Sequence, residues 1–137
     1  MHRDVSWYSQ YESFADPERQ KRGCGIVALK IVMEFWDPHL VAVSADELYS
    51  TGLGVGAYMD GVGWRHSGIV AIAQKYGLNG YNRDYAPQSL TPKTSEESFI
   101  ELQRELVNGP VIASTWLDFD PTSQRGHLVV VAGIEGD

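Results

Sequence analysis

The strongest pattern in the chain is a run of apolar residues, CGIVALKIVMEFW, over positions 24–36. Its two charged residues, Lys30 and Glu34, are spaced i and i+4, so the run predicts a helix that is buried all round except for one narrow polar stripe. Asp37 and Pro38 end the run. We expect this helix to form the centre of the core.

Three further helices are predicted from their capping residues. SADE at 44–47 and TSEE at 94–97 each place a hydroxyl three residues before a glutamate, the capping-box pattern in which both side chains bond free backbone amides. The helix after SADE is expected to stop near Gly52, and the helix after TSEE before Gly109. Ser67 is expected to cap a helix that runs through Lys75 and ends at a glycine.

The last third of the chain changes to a β pattern. PVIASTW at 110–116 and HLVVVAGI at 127–134 are short, rich in β-branched residues and bounded by turn residues, which predicts two strands. Both faces of the second strand are apolar, so we expect it to be central in its sheet. An early core helix, further helices and then an antiparallel sheet predict an α+β fold.

Composition narrows the class of protein. A chain of 137 residues predicts a single domain over 1–137, and no apolar run approaches the roughly 18 residues of a membrane span. A net charge of -7 opposes binding to a phosphate backbone, so no nucleic-acid partner is expected. The first ten residues lack the apolar core of a signal peptide, which leaves the compartment open.

Metal and phosphate chemistry find no support in the pattern. His2, His39 and His66 share no metal-ligand spacing with one another or with Cys24, so no metal and no cofactor are expected. The sequence GLGVG at 52–56 lacks the preceding strand and the following Lys-Ser or Lys-Thr of a phosphate loop. We interpret it as a surface loop.

The candidate chemistry begins with Cys24, the only cysteine in the chain. It lies between two glycines where the central helix begins, and there the free amides and the helix dipole favour a negative thiolate. The glycines are expected to leave the sulfur open to a substrate backbone. A small buried hydrophobic residue is the alternative interpretation of an isolated cysteine beside an apolar run.

His127 is the candidate partner of Cys24. As the first residue of an otherwise apolar strand, it is placed to project its ring toward the start of a helix packed across the sheet. The imidazole of such a Cys-His pair takes the thiol proton and later returns one to the leaving group. The alternative is a strand-end histidine that bonds a backbone carbonyl.

Five motifs in order carry a family resemblance: SWYSQ, GCG opening the apolar helix, GW.HSGI, NGPVI and GHLVVVAGI. From about Trp7 to Ile134, the chain resembles the C39-like cysteine peptidases of the papain-like superfamily. The resemblance implies a central N-terminal helix packed on an antiparallel sheet, with Cys24 as nucleophile and His127 as base. It also implies that Gln10 helps to form the oxyanion hole, and its spacing disfavours the rival Gln20, which lies only four residues before Cys24.

The end of the chain departs from the family pattern. An Asp or Asn normally follows on the next strand and orients the histidine, but the sequence ends at Asp137, so we expect a chain that is truncated before that strand. Asp118 and Asp120 are the other carboxylates near the histidine, and the third residue stays unassigned. An unpaired sheet edge beside Val129 would also favour an edge-strand homodimer.

These observations predict a cysteine peptidase or amide hydrolase that acts on a peptide or protein substrate. Two alternatives stay open. One is a catalytically inactive papain-like module that binds peptides in the same cleft. The other is a thiol-dependent acyltransferase, because the same dyad supports transfer to an amine instead of water.

Overall fold

The central helix of the fold is the one predicted from the apolar run. The computed structural model describes residues 2–116, 120, 122 and 126–135. In it the helix α3 spans Cys24–Trp36, so both predicted bounds are confirmed. Two short helices precede it, α1 (Gln10–Ser13) and α2 (Pro17–Arg22), and they are too short to show a hydrophobic period in the sequence.

The expected polar stripe on α3 is wrong, because Lys30 and Glu34 are each only 7% exposed. The Lys30 Nζ donates to the Val43 carbonyl oxygen at 2.6 Å and lies 3.6 Å from Glu34 Oε1. The same carboxylate oxygen accepts a hydrogen bond from the Tyr8 hydroxyl at 2.8 Å. A buried charge needs such partners, and here segments far apart in the chain supply them.

The elements after α3 are a 3-10 helix (Pro38–Ala42), α4 (Ala45–Gly54), α5 (His66–Lys75) and α6 (Ser95–Leu106). The capping box predicted at Thr94 is confirmed: its hydroxyl accepts from the Glu97 amide at 3.1 Å, and the Glu97 carboxylate accepts from the Thr94 amide at 2.8 Å. The cap predicted at Ser67 is wrong, because Arg65 is the N-cap of α5 and Ser67 lies inside the helix.

Two antiparallel hairpins complete the fold. β1 (Tyr58–Met59) and β2 (Gly63–Trp64) form a small hairpin between α4 and α5. The expected surface loop at 52–56 is wrong over 52–54, because these residues are the last of α4. β3 (Val111–Trp116) and β4 (Gly126–Val131) pair over their whole length. Helices combined with antiparallel sheets confirm the α+β class.

The larger hairpin differs from the expectation that its second strand is central. In the described residues its sheet has two strands, so β4 has β3 on one side only. The N-terminal segment adds a bridge between His2 and Gly133, and the Arg3 amide donates to the Ala132 carbonyl at 2.8 Å.

The core lies between α3 and the elements that surround it. α3 packs against β4 and β3 and against α4 and α5. The most completely buried large side chains are Ile26, Met33, Leu48 and Ile72. Over the described ranges, none of the helices has the length and apolar character needed to cross a bilayer.

Candidate active site

Cys24 is the first residue of α3, and its thiol is free and partly buried. Gly23 is the N-cap and has no side chain to bond the first amides of the helix. The first turn closes with the bond from the Val27 amide to the Gly23 carbonyl at 2.9 Å, which leaves the amides before it without an intrahelical acceptor. The Cys24 side chain therefore lies at the N-terminal end of the central helix, where the helix dipole is positive.

The two glycines beside Cys24 are explained by close packing, which replaces the expectation that they leave the sulfur open. A Cβ on Gly23 would lie 2.3 Å from Phe14 Cε2 and 2.6 Å from the Arg19 carbonyl oxygen. A Cβ on Gly25 would lie 2.9 Å from Leu128 Cδ1 and 2.9 Å from Trp64 Cδ1. Side chains would clash at both positions, so the backbone around Cys24 is held from two sides.

His127 is half-buried and lies near the beginning of β4, opposite Thr115 of β3. Its neighbour Leu128 packs against the core, and the contact of Leu128 with Gly25 brings the start of α3 to the start of β4. Because successive side chains of a strand point to opposite faces, the pleat directs His127 away from the Leu128 face. A Cys24–His127 pair requires the ring to turn around the beginning of the strand. Among the described residues, neither of these two side chains is hydrogen-bonded.

Gln10 begins α1 and is half-buried. Its side-chain Nε2 donates to the Gln20 carbonyl oxygen at 2.7 Å, a position four residues before Cys24. The rival side chain of Gln20 donates instead to the Phe14 carbonyl at 2.7 Å, in the connection between α1 and α2. One further N–H of the Gln10 amide is left for another acceptor.

A comparison with known families covers the whole of this region. The sequence model of the Peptidase_C39-like family matches residues 2–137. The chain belongs to this family. Neither the curated proteins nor the solved structures gave a match. The membership confirms the resemblance read from the five motifs and relates the chain to cysteine peptidases.

Of the three carboxylates considered as the group that orients His127, the structure describes Asp120. Asp120 accepts hydrogen bonds from the Thr122 amide at 2.9 Å and from the Thr122 hydroxyl at 2.7 Å. These bonds, the amide first, lower the pKa of the Asp120 carboxyl below its ordinary value. Asp118 and Asp137 lie outside the described residues.

The β1–β2 hairpin of this C39-like chain lies beside Cys24. The Trp64 indole N–H donates to the Arg22 carbonyl oxygen at 2.6 Å. The Arg22 guanidinium carbon lies 5.5 Å from the centre of the Tyr58 ring. The only signal of this placement in the sequence was the Gly-Trp pair of the family motif GW.HSGI.

An open cleft of about 480 Å³ lies elsewhere along α3, beside Lys30, and is also lined by Trp7, Tyr8 and Val41. Lys30 is six residues from Cys24, which corresponds to about 9 Å of helix. The candidate active site is therefore assigned from the position of Cys24 in the family pattern, and not from this cleft.

Proposed function

We propose that this chain is a cysteine peptidase or amide hydrolase that uses Cys24 as nucleophile and His127 as general base. The observation that supports the proposal most directly is the Gly25–Leu128 contact in a member of the C39-like family. Gly25 follows the proposed nucleophile and Leu128 follows the proposed base. The two reacting side chains thus start from adjoining positions on two packed elements.

In the proposed reaction, the His127 imidazole takes the thiol proton and the Cys24 thiolate attacks the carbonyl carbon of the scissile amide. A carbon–sulfur bond forms and the carbonyl oxygen becomes negative. When this intermediate collapses, the carbon–nitrogen bond breaks and the imidazolium gives its proton to the leaving amine. Water, deprotonated by His127, then hydrolyses the thioester, releasing the acid and restoring the thiol.

Gln10 is proposed to stabilise the oxyanion together with the Cys24 amide. A neutral side-chain amide supplies a donor without competing with the imidazole for the thiol proton. Its bond to the Gln20 carbonyl ties it to the chain just before Cys24. Movement of the amide between the free and the substrate-bound enzyme is then small.

A second candidate function is a peptide-binding module without turnover. It is favoured by the alternation of side chains along β4, which places His127 on the strand face opposite Leu128. In that case the ring does not reach the sulfur, and Cys24 behaves as an ordinary thiol.

Alkylation of the thiol by iodoacetamide separates the two functions. A catalytic Cys24 is expected to be labelled fast well below pH ~8, where an ordinary thiol is mostly protonated, and His127→Ala should slow the labelling. His39→Ala is the matched control, because the His39 side chain is 98% exposed. Slow labelling that His127→Ala leaves unchanged would favour the binding module. Peptide cleavage that persists in Cys24→Ala would overturn the assignment of the nucleophile.

A further inference from the structure

We propose that Trp64 is a positioning residue that fixes Cys24 at the start of α3. The inference rests on the proposed function of Cys24 as nucleophile. Trp64 touches the chain on both sides of this cysteine. Its indole N–H bonds the carbonyl two residues before the sulfur, and its ring covers the glycine immediately after it.

The polar contact acts on the junction between α2 and α3. Arg22 is the last residue of α2, so its carbonyl oxygen has no partner within that helix. The Trp64 N–H donates to this oxygen at 2.6 Å. The bond fixes the plane of the peptide that leads into Gly23, and with it the direction in which α3 begins.

The ring contacts act on the first turn of α3. Trp64 is only 8% exposed, and its Cδ1 lies 2.9 Å from the place where a Cβ of Gly25 would be. Its far edge closes against Gly52 of α4, where a Cβ would lie 2.7 Å from Trp64 Cζ3. The ring is thus a wedge between α3 and α4. A side chain at position 25 or 52 would clash with it.

Two further aromatic residues hold the wedge in place. The Trp64 ring meets Tyr49 edge to face, with centroids 5.0 Å apart, and meets Tyr58 in the same way at 5.0 Å. Leu128 closes Gly25 from the side of β4. The first turn of α3 is therefore packed between Trp64 and the strand that carries His127. Removing the N–H leaves the wedge in place but releases the Arg22 carbonyl.

The test removes the N–H donor, with both fused rings kept in benzothienylalanine and only one ring kept in Trp64→Phe. In Trp64→Phe, or with benzothienylalanine at position 64, iodoacetamide should label Cys24 about tenfold more slowly at neutral pH than in the wild-type chain. The value of kcat should fall by a similar factor while KM stays within about twofold, since binding does not need the thiolate. Trp36→Phe is the control, because Trp36 is 52% exposed, and should label like wild type.

A purely structural role predicts the opposite direction. A loosened fold lowers the melting temperature and exposes the thiol, so labelling at or above the wild-type rate would overturn the inference. If Trp64→Phe does not fold, the benzothienylalanine variant, which keeps both rings, is measured instead. Failure of that variant to fold would show that the N–H serves folding and would also overturn the inference.

The labelling ratio also separates this inference from the proposed function. It can be measured whether or not the chain cleaves peptides. Wild-type labelling that His127→Ala leaves unchanged counts against the dyad. An unchanged rate in the Trp64 variants counts against the positioning role alone.

Discussion

Leu128 of β4 lies so close to Gly25 of α3 that an added methyl group on the glycine would be 2.9 Å from Leu128 Cδ1. The contact joins residues more than one hundred positions apart in the chain. Because it adjoins both Cys24 and His127, it fixes the distance between the two elements that carry the proposed dyad.

Replacing Gly25 by alanine is therefore expected to destabilise the protein, although alanine is the better helix former. The methyl group would clash with Leu128 and Trp64, and such overpacking typically costs about 1–3 kcal/mol. Denaturant unfolding measures the loss. Peptide turnover should fall as well, since α3 must shift against β4.

Gly54→Ala is the matched control for that substitution. Gly54 also lies in a helix, but a Cβ there would meet nothing within 4 Å. This variant should be as stable as the wild type or gain up to about 1 kcal/mol from helix propensity. Equal unfolding free energies for the two variants would show that the Gly25 contact is loose.

Gln10→Ala is expected to lower kcat for peptide cleavage by about 10²–10³, the usual effect of removing one oxyanion donor. Alkylation of Cys24 by iodoacetamide should be unchanged, because displacement of iodide develops no oxyanion. Gln20→Ala is the control, since its amide also donates one 2.7 Å bond to a backbone carbonyl. If Gln20→Ala lost more activity than Gln10→Ala, the oxyanion assignment would move to Gln20.

Tyr8→Phe is expected to destabilise the fold by about 1–3 kcal/mol near neutral pH, because it removes the hydroxyl donor to a buried carboxylate. Glu34 Oε2 already lacks a partner in the described residues, so Oε1 would keep only Lys30 nearby. Tyr11→Phe is the control, with a change within about 0.5 kcal/mol, because Tyr11 is 64% exposed.

We expect the unfolding free energy to depend on pH through the hydroxyl of Tyr8. The hydrogen bond to Glu34, then burial, raises the pKa of Tyr8 above the ordinary value of 10.0. The folded state thus keeps the phenol proton where the unfolded state loses it. The stability that this gives is fully present below about pH 10, and it is lost as the pH rises through the higher pKa of Tyr8 in the folded state. Unfolding free energies at about pH 8 and about pH 11 should therefore differ less in Tyr8→Phe than in the wild type. Equal differences would contradict the prediction.

We expect two copies of the chain to associate through a strand edge of the β3–β4 hairpin. In the described residues its sheet has two strands, and an open edge can pair with a second copy of the chain. Sedimentation velocity over a range of concentrations should show a dimer that Val129→Lys weakens, since lysine opposes edge pairing. A wild-type chain that sediments as a monomer at every concentration would count against the dimer.

The elements that the sequence predicted well are those coded by neighbouring residues. The bounds of α3 follow from thirteen successive residues with one apolar pattern, and the start of α6 follows from the reciprocal bonds of Thr94 and Glu97. The β3 and β4 strands were found for the same reason, since composition and turn residues mark them locally. Cys24 and His127 became candidates because the motifs around them are short and occur in the family order.

What the sequence missed depends on contacts between distant segments. Lys30 and Glu34 looked like a polar stripe because their spacing is local, whereas the Val43 carbonyl and the Tyr8 hydroxyl that satisfy them come from other segments. The placement of Trp64 against Arg22 is of the same kind.

The sequence by itself determined the helix that begins at Cys24, the strand that begins beside His127 and the family to which both belong. Only the tertiary structure decided why glycines stand beside the cysteine. A local pattern cannot state that reason, because the atoms that exclude a side chain at Gly25 belong to Trp64 and Leu128, which reach it only when the chain has folded.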